Sequence, residues 1–447
     1  MDTIAAVSTP HAVGGIAMIR MSGPDALAIA DRIFRGMNET KVTEMRGYSC
    51  AYGRVCDGEE IIDDVVLTVF RAPHSYTGED TVEITCHGGI YLTNLILHIL
   101  LRQGAEPAGA GEFTKRAFLN GKLSLSQAEA VMDVIEADGI TALRQANLAK
   151  EGRLSRQMQE ATDSITKILS ALAYWLDDAE EFPPELSHET LSAQIRGIYD
   201  KIHAMLAHYQ DGRILRGGIR TVLLGLPNAG KSSVMNWLCG MNRSIVTNIA
   251  GTTRDVVTEH VKIGEYTLLL SDTAGIRDTE NEIEAIGIQQ AIHALDTSDL
   301  VLYVLDANAG LTHHDLEMLE KCKGHKTIVL WNKTDLSDAD VPELNLPVVA
   351  CSAIHDEEFD GLLSALKQVF PQPDSVQPTV INERQFLLLQ NAETHILRAQ
   401  ELLEENGEPD LLSVDLESAA RKLAEIEGAD VTQATIDGVF SRFCVGK

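Results

Sequence analysis

At 447 residues, 45% hydrophobic and 23% charged, the chain is long and apolar enough for several globular domains of about 100–200 residues each. It has no run near the ~18–20 apolar residues of a spanning helix, and its first residues, MDTIAAVSTPHAVGG, lack the basic flank and apolar core of a signal peptide. That excludes an integral membrane protein and predicts the cytoplasm. Lys plus Arg total 37 against 66 Asp plus Glu, a formal net charge of −29. Because cations drive affinity for phosphate backbones, a general coater of tRNA or DNA is excluded, while a local contact or a basic partner is not. The 7 cysteines are scattered with no C-x-x-C pair, which argues against a disulfide framework or a zinc site and for a reducing compartment.

In chain order, residues 1–117 alternate short β-like runs (16–21, 65–70, 81–84) with Gly/Pro punctuation and a few helices, the pattern of an α+β domain. Long helical periodicity fills 118–213, carried by Ala128, Val131, Val134 and Ile135, then by Ile165, Ile168, Leu169 and Leu172. The acidic stretch 177–185, with Pro183 and Pro184, reads as a solvated break between two helices. Residues 214–371 alternate β and α, with aliphatic strands at 222–224, 267–270, 300–305, 328–331 and 348–350. Such unbroken runs predict a mostly parallel sheet covered on both faces. Beyond Pro371 and Pro373 the helical texture returns over 372–447, with Leu387, Leu388 and Leu389 opening one helix and Leu412, Val414, Leu416, Ala419 and Leu423 lining another. Helices on both flanks predict an α/β domain inserted into a helical one.

The sharpest motif is Gly225-Leu-Pro-Asn-Ala-Gly230-Lys231-Ser232, after a strand and opening a helix. Strand, glycine-rich turn and helix N-terminus aim several backbone N–H groups and the helix dipole at one point, where phosphates bind. Lys231 adds a full charge for the β- and γ-phosphates, and the Ser232 hydroxyl suits magnesium. Asp272-Thr-Ala-Gly275 follows the 267–270 strand, placing Asp272 in the magnesium shell and the Gly275 N–H near the γ-phosphate. Asn332-Lys333-Thr334-Asp335 follows the 328–331 strand, where the Asp335 carboxylate can accept from the ring N–H and exocyclic amine of guanine together. Adenine lacks that donor pair, so GTP is selected over ATP. Ser352-Ala353 suits a backbone contact to the base, and the polar loop Gly251-Thr252-Thr253-Arg254-Asp255 can present Thr253 to magnesium. The order and spacing define a Ras-like P-loop GTPase domain within a multidomain α/β chain.

Small signalling GTPases orient the attacking water with a glutamine just after Asp-Thr-Ala-Gly. Here that position is Ile276, which cannot do so, leaving the nearby carboxylates Asp278, Glu280, Glu282 and Glu284 as candidates. The charge of an arginine finger has two candidate sources nearby, Arg254 and Arg277, and a third route in Asn228, whose amide oxygen can hold a monovalent cation against the phosphates.

The phosphate loop, the Gly-Thr-Thr-Arg-Asp loop, the Asp-Thr-Ala-Gly-Ile-Arg run and the ending Phe443-Cys444-Val-Gly-Lys447 together resemble the tRNA-modification GTPase family MnmE, also called TrmE. Further matches are Gly78-Glu-Asp, Glu83 and His87-Gly-Gly, then Gly111 to Lys122 with Gln127-Ala-Glu-Ala, so the resemblance covers nearly the whole chain. One departure is Thr9-Pro-His11-Ala12-Val13 before Gly14-Gly15, where the family usually carries a Pro-Pro-Gly turn. The resemblance implies a folate-binding and dimerising α+β domain, a two-part helical domain and the inserted GTPase domain. It implies an activity too: modification of the wobble uridine of certain tRNAs at C5, with the carbon drawn from 5-formyl- or methylene-tetrahydrofolate. The implied partner is the FAD-containing flavoprotein MnmG (GidA). Potassium-dependent GTP hydrolysis would join two GTPase domains across a homodimer.

Carried over by position, nucleotide contacts fall on Asn228, Ala229, Gly230, Lys231, Ser232 and Ser233, on Thr247, Asn248, Ile249, Ala250, Gly251, Thr252 and Thr253, and on Asp272, Thr273, Ala274 and Gly275. The base contacts would be Asn332, Lys333, Thr334, Asp335, Ser352, Ala353 and Ile354. The resemblance assigns potassium to Asn228, Thr247, Ile249 and Thr252, magnesium to Ser232 and Thr253, and water orientation to Glu284. Folate falls to Arg20, Glu83, Lys122 and Lys447, with Cys444 beside them in a chemical role. His87 reads as structural. The competing expectation is a GTP-binding factor of ribosome assembly without modification chemistry, and a third is a folate enzyme regulated by GTP. Both flanks being helical and the charge being −29 argue against the basic appendage that assembly factors carry.

Overall fold

The computed structural model describes residues 2–38, 40–137, 139–178, 187–207, 209, 213–214, 218–241, 258–271, 295, 298–337, 339–355, 359–371, 382–405 and 409–447. The chain divides into two units. The first is Met1–Glu136, Ala146–Ala207 and Pro378–Lys447, and the second is Ala137–Gln145 with His208–Gln377.

In the first unit, β1 (Ile4–Val7), β2 (Ile16–Ser22), β3 (Phe34–Gly36), β4 (Ser49–Asp57), β5 (Glu60–Phe70), β6 (Thr81–His87) and β7 (Glu106–Pro107) form one sheet. Their order is β3-β4-β5-β6-β2-β1-β7, antiparallel except for the β1–β7 pair. Alternation decides which side chains leave the core. Ala17, Ile19 and Met21 of β2 are buried among Leu67, Val82 and Ile84 and against Ile29, Ile33, Ile96 and Leu100 of the helices α1 (Ala26–Ile33) and α2 (Ile90–Arg102). Arg20 and Glu83 therefore point to the opposite face, and the β2–β6 register sets them side by side.

Helices α3 (Glu112–Leu119), α4 (Leu125–Glu136), α5 (Ile140–Lys150), α6 (Arg153–Asp178) and α7 (His188–Ala207) follow. The acidic break expected at 177–185 lies outside the described residues from 179 onward. Four buried residues of the later helix Glu383–Glu404, namely Leu389, Ala392, Ile396 and Ala399, keep the 3.6-residue spacing of a packed stripe. The helix Pro409–Glu427 does the same with Leu412, Leu416, Ala419 and Leu423. Two residues expected on such stripes are instead exposed: Ile135 and Val414. Val414 lies two positions beyond Leu412, about 200° around a helix, so it cannot share that residue's face. The final helix, Gln433–Phe440, packs Ile436 and Phe440, with Phe443 after it, onto Leu125, Ala128 and Val131 of α4. This anchors the last residues of the chain beside α3.

The second unit holds a six-stranded sheet, order β13-β12-β11-β8-β10-β9. Its strands are β8 (Ile219–Leu224), β9 (Thr258–Ile263), β10 (Tyr266–Ser271), β11 (Leu300–Asp306), β12 (Thr327–Asn332) and β13 (Val348–Ala350). Every neighbouring pair is parallel except β9–β10. Ile219, Leu302, Ile328 and Leu330 pack on one face with Val234, Leu238, Leu362 and Leu366, while Val222, Val301, Tyr303 and Val329 pack on the other with Leu319 and Cys322. The aliphatic strands are thus buried on both sides, the parallel sheet expected of a P-loop GTPase domain inserted into a helical one. Following α7 in chain order, the described helices of this unit are α8 (Lys231–Met241), α9 (His313–Lys321) and α10 (Asp360–Val369). Among the described residues no helix is long and apolar enough to cross a membrane.

Candidate nucleotide site and a second cationic cluster

The phosphate loop leaves the C-terminal end of β8, between β11 and β10, where parallel sheets bind ligands. Two glycines are dictated by space. At Gly225, φ is +149° and an added Cβ would stand 2.4 Å from the Val304 carbonyl oxygen. At Gly230, φ is +100° and a Cβ would stand 2.4 Å from Asn332 Nδ2. Asn228 holds the left-handed region at φ +65° without being glycine and is exposed. Lys231 Nζ donates to the carbonyls of Gly225 (2.9 Å) and Leu226 (3.0 Å), at the place where it would meet phosphate. Ser232 is exposed on the first turn of α8, and Ser233 follows half-buried.

The β12 end meets the same loop. Asn332, buried, donates from Nδ2 to the Ala229 carbonyl (3.1 Å) and accepts the Ala353 N–H at Oδ1 (3.1 Å). Lys333, also at φ +65°, donates from Nζ to the Asn228 carbonyl and to Asp306 Oδ2, each at 2.7 Å. The Thr334 N–H reaches the Cys351 carbonyl at 3.3 Å. Ser352 Oγ donates to Asp335 Oδ1 at 2.6 Å, and His355 Nε2 stands 3.8 Å from Oδ2. The Ser352 hydrogen bond, the largest influence, holds the Asp335 carboxyl below the usual carboxylate range, so it is ionised and ready to accept. Ile354 is exposed beside Ala353. Three strand ends therefore converge, with the phosphate loop on one side and the ionised Asp335 carboxylate on the other. Thr247, Asn248, Ile249, Ala250, Gly251, Thr252, Thr253, Asp272, Thr273, Ala274, Gly275 and Glu284 lie outside the described residues, as do Arg254, Ile276, Arg277, Asp278, Glu280 and Glu282. Sequence reasoning passed over Asp306 and His355. The findable signal for Asp306 was a carboxylate ending an aliphatic parallel strand.

A second cluster forms in the first unit. Arg20 and Glu83 pair at 2.8–2.9 Å, with side chains only 14% and 20% exposed. The Arg20 guanidinium lies 5.7 Å from the ring centroids of both Tyr76 and Phe113, and its Nη1 reaches the Gly446 carbonyl at 3.5 Å. Residues 444–447 are held in place by an Ala110–Val445 bridge, by the Phe113 N–H on the Lys447 carbonyl (3.2 Å) and by Ser8 Oγ on Gly446 O (3.0 Å). Burial, then the charges of Arg20 and Lys150, pull the Lys447 ammonium below its usual range, against the opposing pull of Cys444 and Glu83. A suppressed ammonium beside other cations favours an incoming anion. Lys122 donates to the Pro73 carbonyl (3.0 Å), in the same loop that carries Tyr76. Cys444 is exposed rather than packed. His87 pairs with Asp63, Nδ1 to Oδ1 at 2.7 Å, and its N–H meets the other oxygen at 2.9 Å, which fits a structural role. Among the described residues no group of three or more His, Cys, Asp or Glu is arranged to hold a metal ion.

Family models match most of the chain: the MnmE helical domain over residues 125–444 and the GTP-binding protein TrmE N-terminus over 3–122. Among curated relatives, the tRNA modification GTPase MnmE of Bacillus licheniformis is 41% identical over 100% of both chains. That of Bacillus subtilis is 39% identical, again over 100% of both, and that of Moorella thermoacetica is 39% identical over 100% of this chain and 99% of its own. With both family models and full-length similarity in agreement, this chain belongs to the MnmE family of tRNA modification GTPases.

Proposed function

We propose that this GTPase hydrolyses GTP with potassium as its catalytic cation and that the cycle serves modification of the wobble uridine of certain tRNAs at C5. The observation that carries the reading is the convergence of Lys231, Asn228, Asn332 and Asp335 at neighbouring strand ends, with the exposed Asn228 amide on the phosphate loop. An amide oxygen at that position suits a weakly hydrated monovalent ion, and the exposed Ser232 hydroxyl suits magnesium. Potassium would be held by Asn228 with Thr247, Ile249 and Thr252, and magnesium by Ser232 and Thr253. Such an ion supplies the positive charge that an arginine finger brings elsewhere. Glu284 would orient the water.

In this reading the Arg20, Glu83, Lys122 and Lys447 cluster holds a tetrahydrofolate one-carbon donor. Cations match its glutamate carboxylates, and Glu83 can accept from the pterin. Cys444, exposed beside Lys447, joins the chemistry there. The working assembly would be a cytoplasmic homodimer in complex with the FAD flavoprotein MnmG, and the complex would bind the tRNA that a charge of −29 discourages this chain from binding alone.

Hydrolysis should run faster in potassium than in sodium. Asn228→Ala should erase that preference while GTP affinity stays near its original value, because the loop amides remain. Equal rates in both salts for the unsubstituted protein would sink the cation assignment. Nucleoside analysis of tRNA from a deletion strain tests the rest, and unmodified wobble uridine is the expected result. Normal tRNA with unjoined ribosomal subunits would point to the assembly factor instead.

A further inference from the structure

Asp306, at the end of β11, has no role in the reading above. Its carboxylate is fixed on two sides. Oδ2 meets Lys333 Nζ at 2.7 Å, and Oδ1 accepts the Asn308 N–H at 2.9 Å. Its own carbonyl accepts the amides of Ala309 and Gly310, so the residue is locked into the turn that follows β11. Burial raises the carboxyl's pKa, but Lys333 and the amides of Asn308 and Ala309 outweigh it and hold the group below the aspartate range. The charge is therefore present at neutral pH.

The Lys333 ammonium spends a second hydrogen bond on the Asn228 carbonyl, and the preceding residue, Asn332, holds the Ala229 carbonyl. Two consecutive carbonyls of the phosphate loop are thus gripped by the strand end that reads guanine. Both Asn228 and Lys333 sit at φ +65°, a conformation that non-glycine residues keep only where their surroundings hold them. A lysine ammonium is a point charge on a flexible stem, and it fixes a carbonyl only when a counter-charge fixes it.

We propose that Asp306 is a positioning residue of the GTPase reaction: through Lys333 it pins the Asn228 backbone and so aims the Asn228 amide at the cation. The inference rests on the reading of Asn228 as a potassium ligand and adds the residue that sets its aim. Guanine recognition and cation binding then share one brace, so base-pocket order is felt at the phosphate loop.

The test uses the full-length protein with Asp306→Asn, Asp306→Glu, Asn228→Ala and the Asp306→Asn/Asn228→Ala double variant. Single-turnover GTP hydrolysis is followed over a potassium series with sodium holding ionic strength constant, and binding of a fluorescent GDP analogue reports folding. Asp306→Asn should raise the half-saturating potassium concentration about tenfold, the scale of one charge-assisted hydrogen bond, and Asp306→Glu should restore most of it. The double variant should match Asn228→Ala alone, since no side chain remains to aim. Unchanged half-saturation in Asp306→Asn, an additive loss in the double variant, or loss of GDP binding in both Asp306 variants would each overturn the inference. Equal potassium and sodium rates in the unsubstituted protein would instead remove the underlying cation reading, and the inference with it.

Discussion

The phosphate loop and the Arg20–Lys447 cluster both concentrate positive potential in a chain of net charge −29, and they do so with different materials. The loop uses one contiguous stretch, residues 225–233, in which backbone amides and the start of α8 add partial positive charge to the one full charge of Lys231. The cluster uses side chains and carbonyls from residues 20, 76, 83, 113 and 444–447, brought together by the β2–β6 register and by the packing of Phe440 and Phe443 on α4. A site made of backbone is sensitive to φ and to Cβ atoms. A site made of distant side chains is sensitive to whatever delivers its last segment.

Matched glycine substitutions press on this difference. Gly225→Ala places a Cβ against a β11 carbonyl at a φ that side chains avoid, and nucleotide affinity should fall by about two orders of magnitude or more, the scale of a ~3 kcal/mol strain. GDP titration checks it, and unchanged binding at the proposed folate site would show that the damage stays local. The counterpart is Gly446→Ala. At φ +97° its Cβ would stand 2.5 Å from the Val7 carbonyl oxygen, so Lys447 and Cys444 should be displaced. Retention of the folate proposed for this cluster should drop about tenfold, as when one charge-assisted contact is lost, while GTP hydrolysis is untouched. If Gly446→Ala slowed hydrolysis instead, the two sites would be one functional unit and the contrast would fail.

The smallest effect concerns Asp299, which accepts from Arg213 and from the Arg220 side chain and N–H. Burial pushes its carboxyl up, yet the two arginines outweigh it and leave the folded-state pKa below the ordinary aspartate value. Its contribution to stability is therefore complete above about pH 4 and fades as the pH falls through the lower folded value. Thermal unfolding between neutral and acid pH should show that loss in the unsubstituted protein, and Asp299→Asn should weaken this part of the acid sensitivity.

Much of the nucleotide site could be read from residue order. Gly225 to Ser232 is a local conformation, Asn332 to Asp335 is another, and each aliphatic run announced the strand that carries it. Residues such as Leu302 and Val329 face opposite sides of one sheet, yet both are buried, so an uninterrupted apolar run was a faithful signal. Helical stripes were read less well, as Val414 and Ile135 show, because apolar residues on an exposed face look the same in a list. Asp306 was missed for a related reason. Its place at the end of an aliphatic strand was a local hint, but only the neighbouring β12 end, with Lys333, gives it a partner.

Residue order alone was enough for the strand–turn–helix of the phosphate loop and the alternation of strands and helices, since each depends on neighbours in the chain: glycine's freedom at positive φ, a helix N-terminus just after a strand, the periodicity of apolar residues. Tertiary structure decided the pairing of Arg20 with Glu83, the seating of Lys447 beside them, and the carboxylate behind Lys333. Those contacts join residues far apart in sequence, and what brings such residues together is the packing of a shared core, which no stretch of the chain specifies by itself.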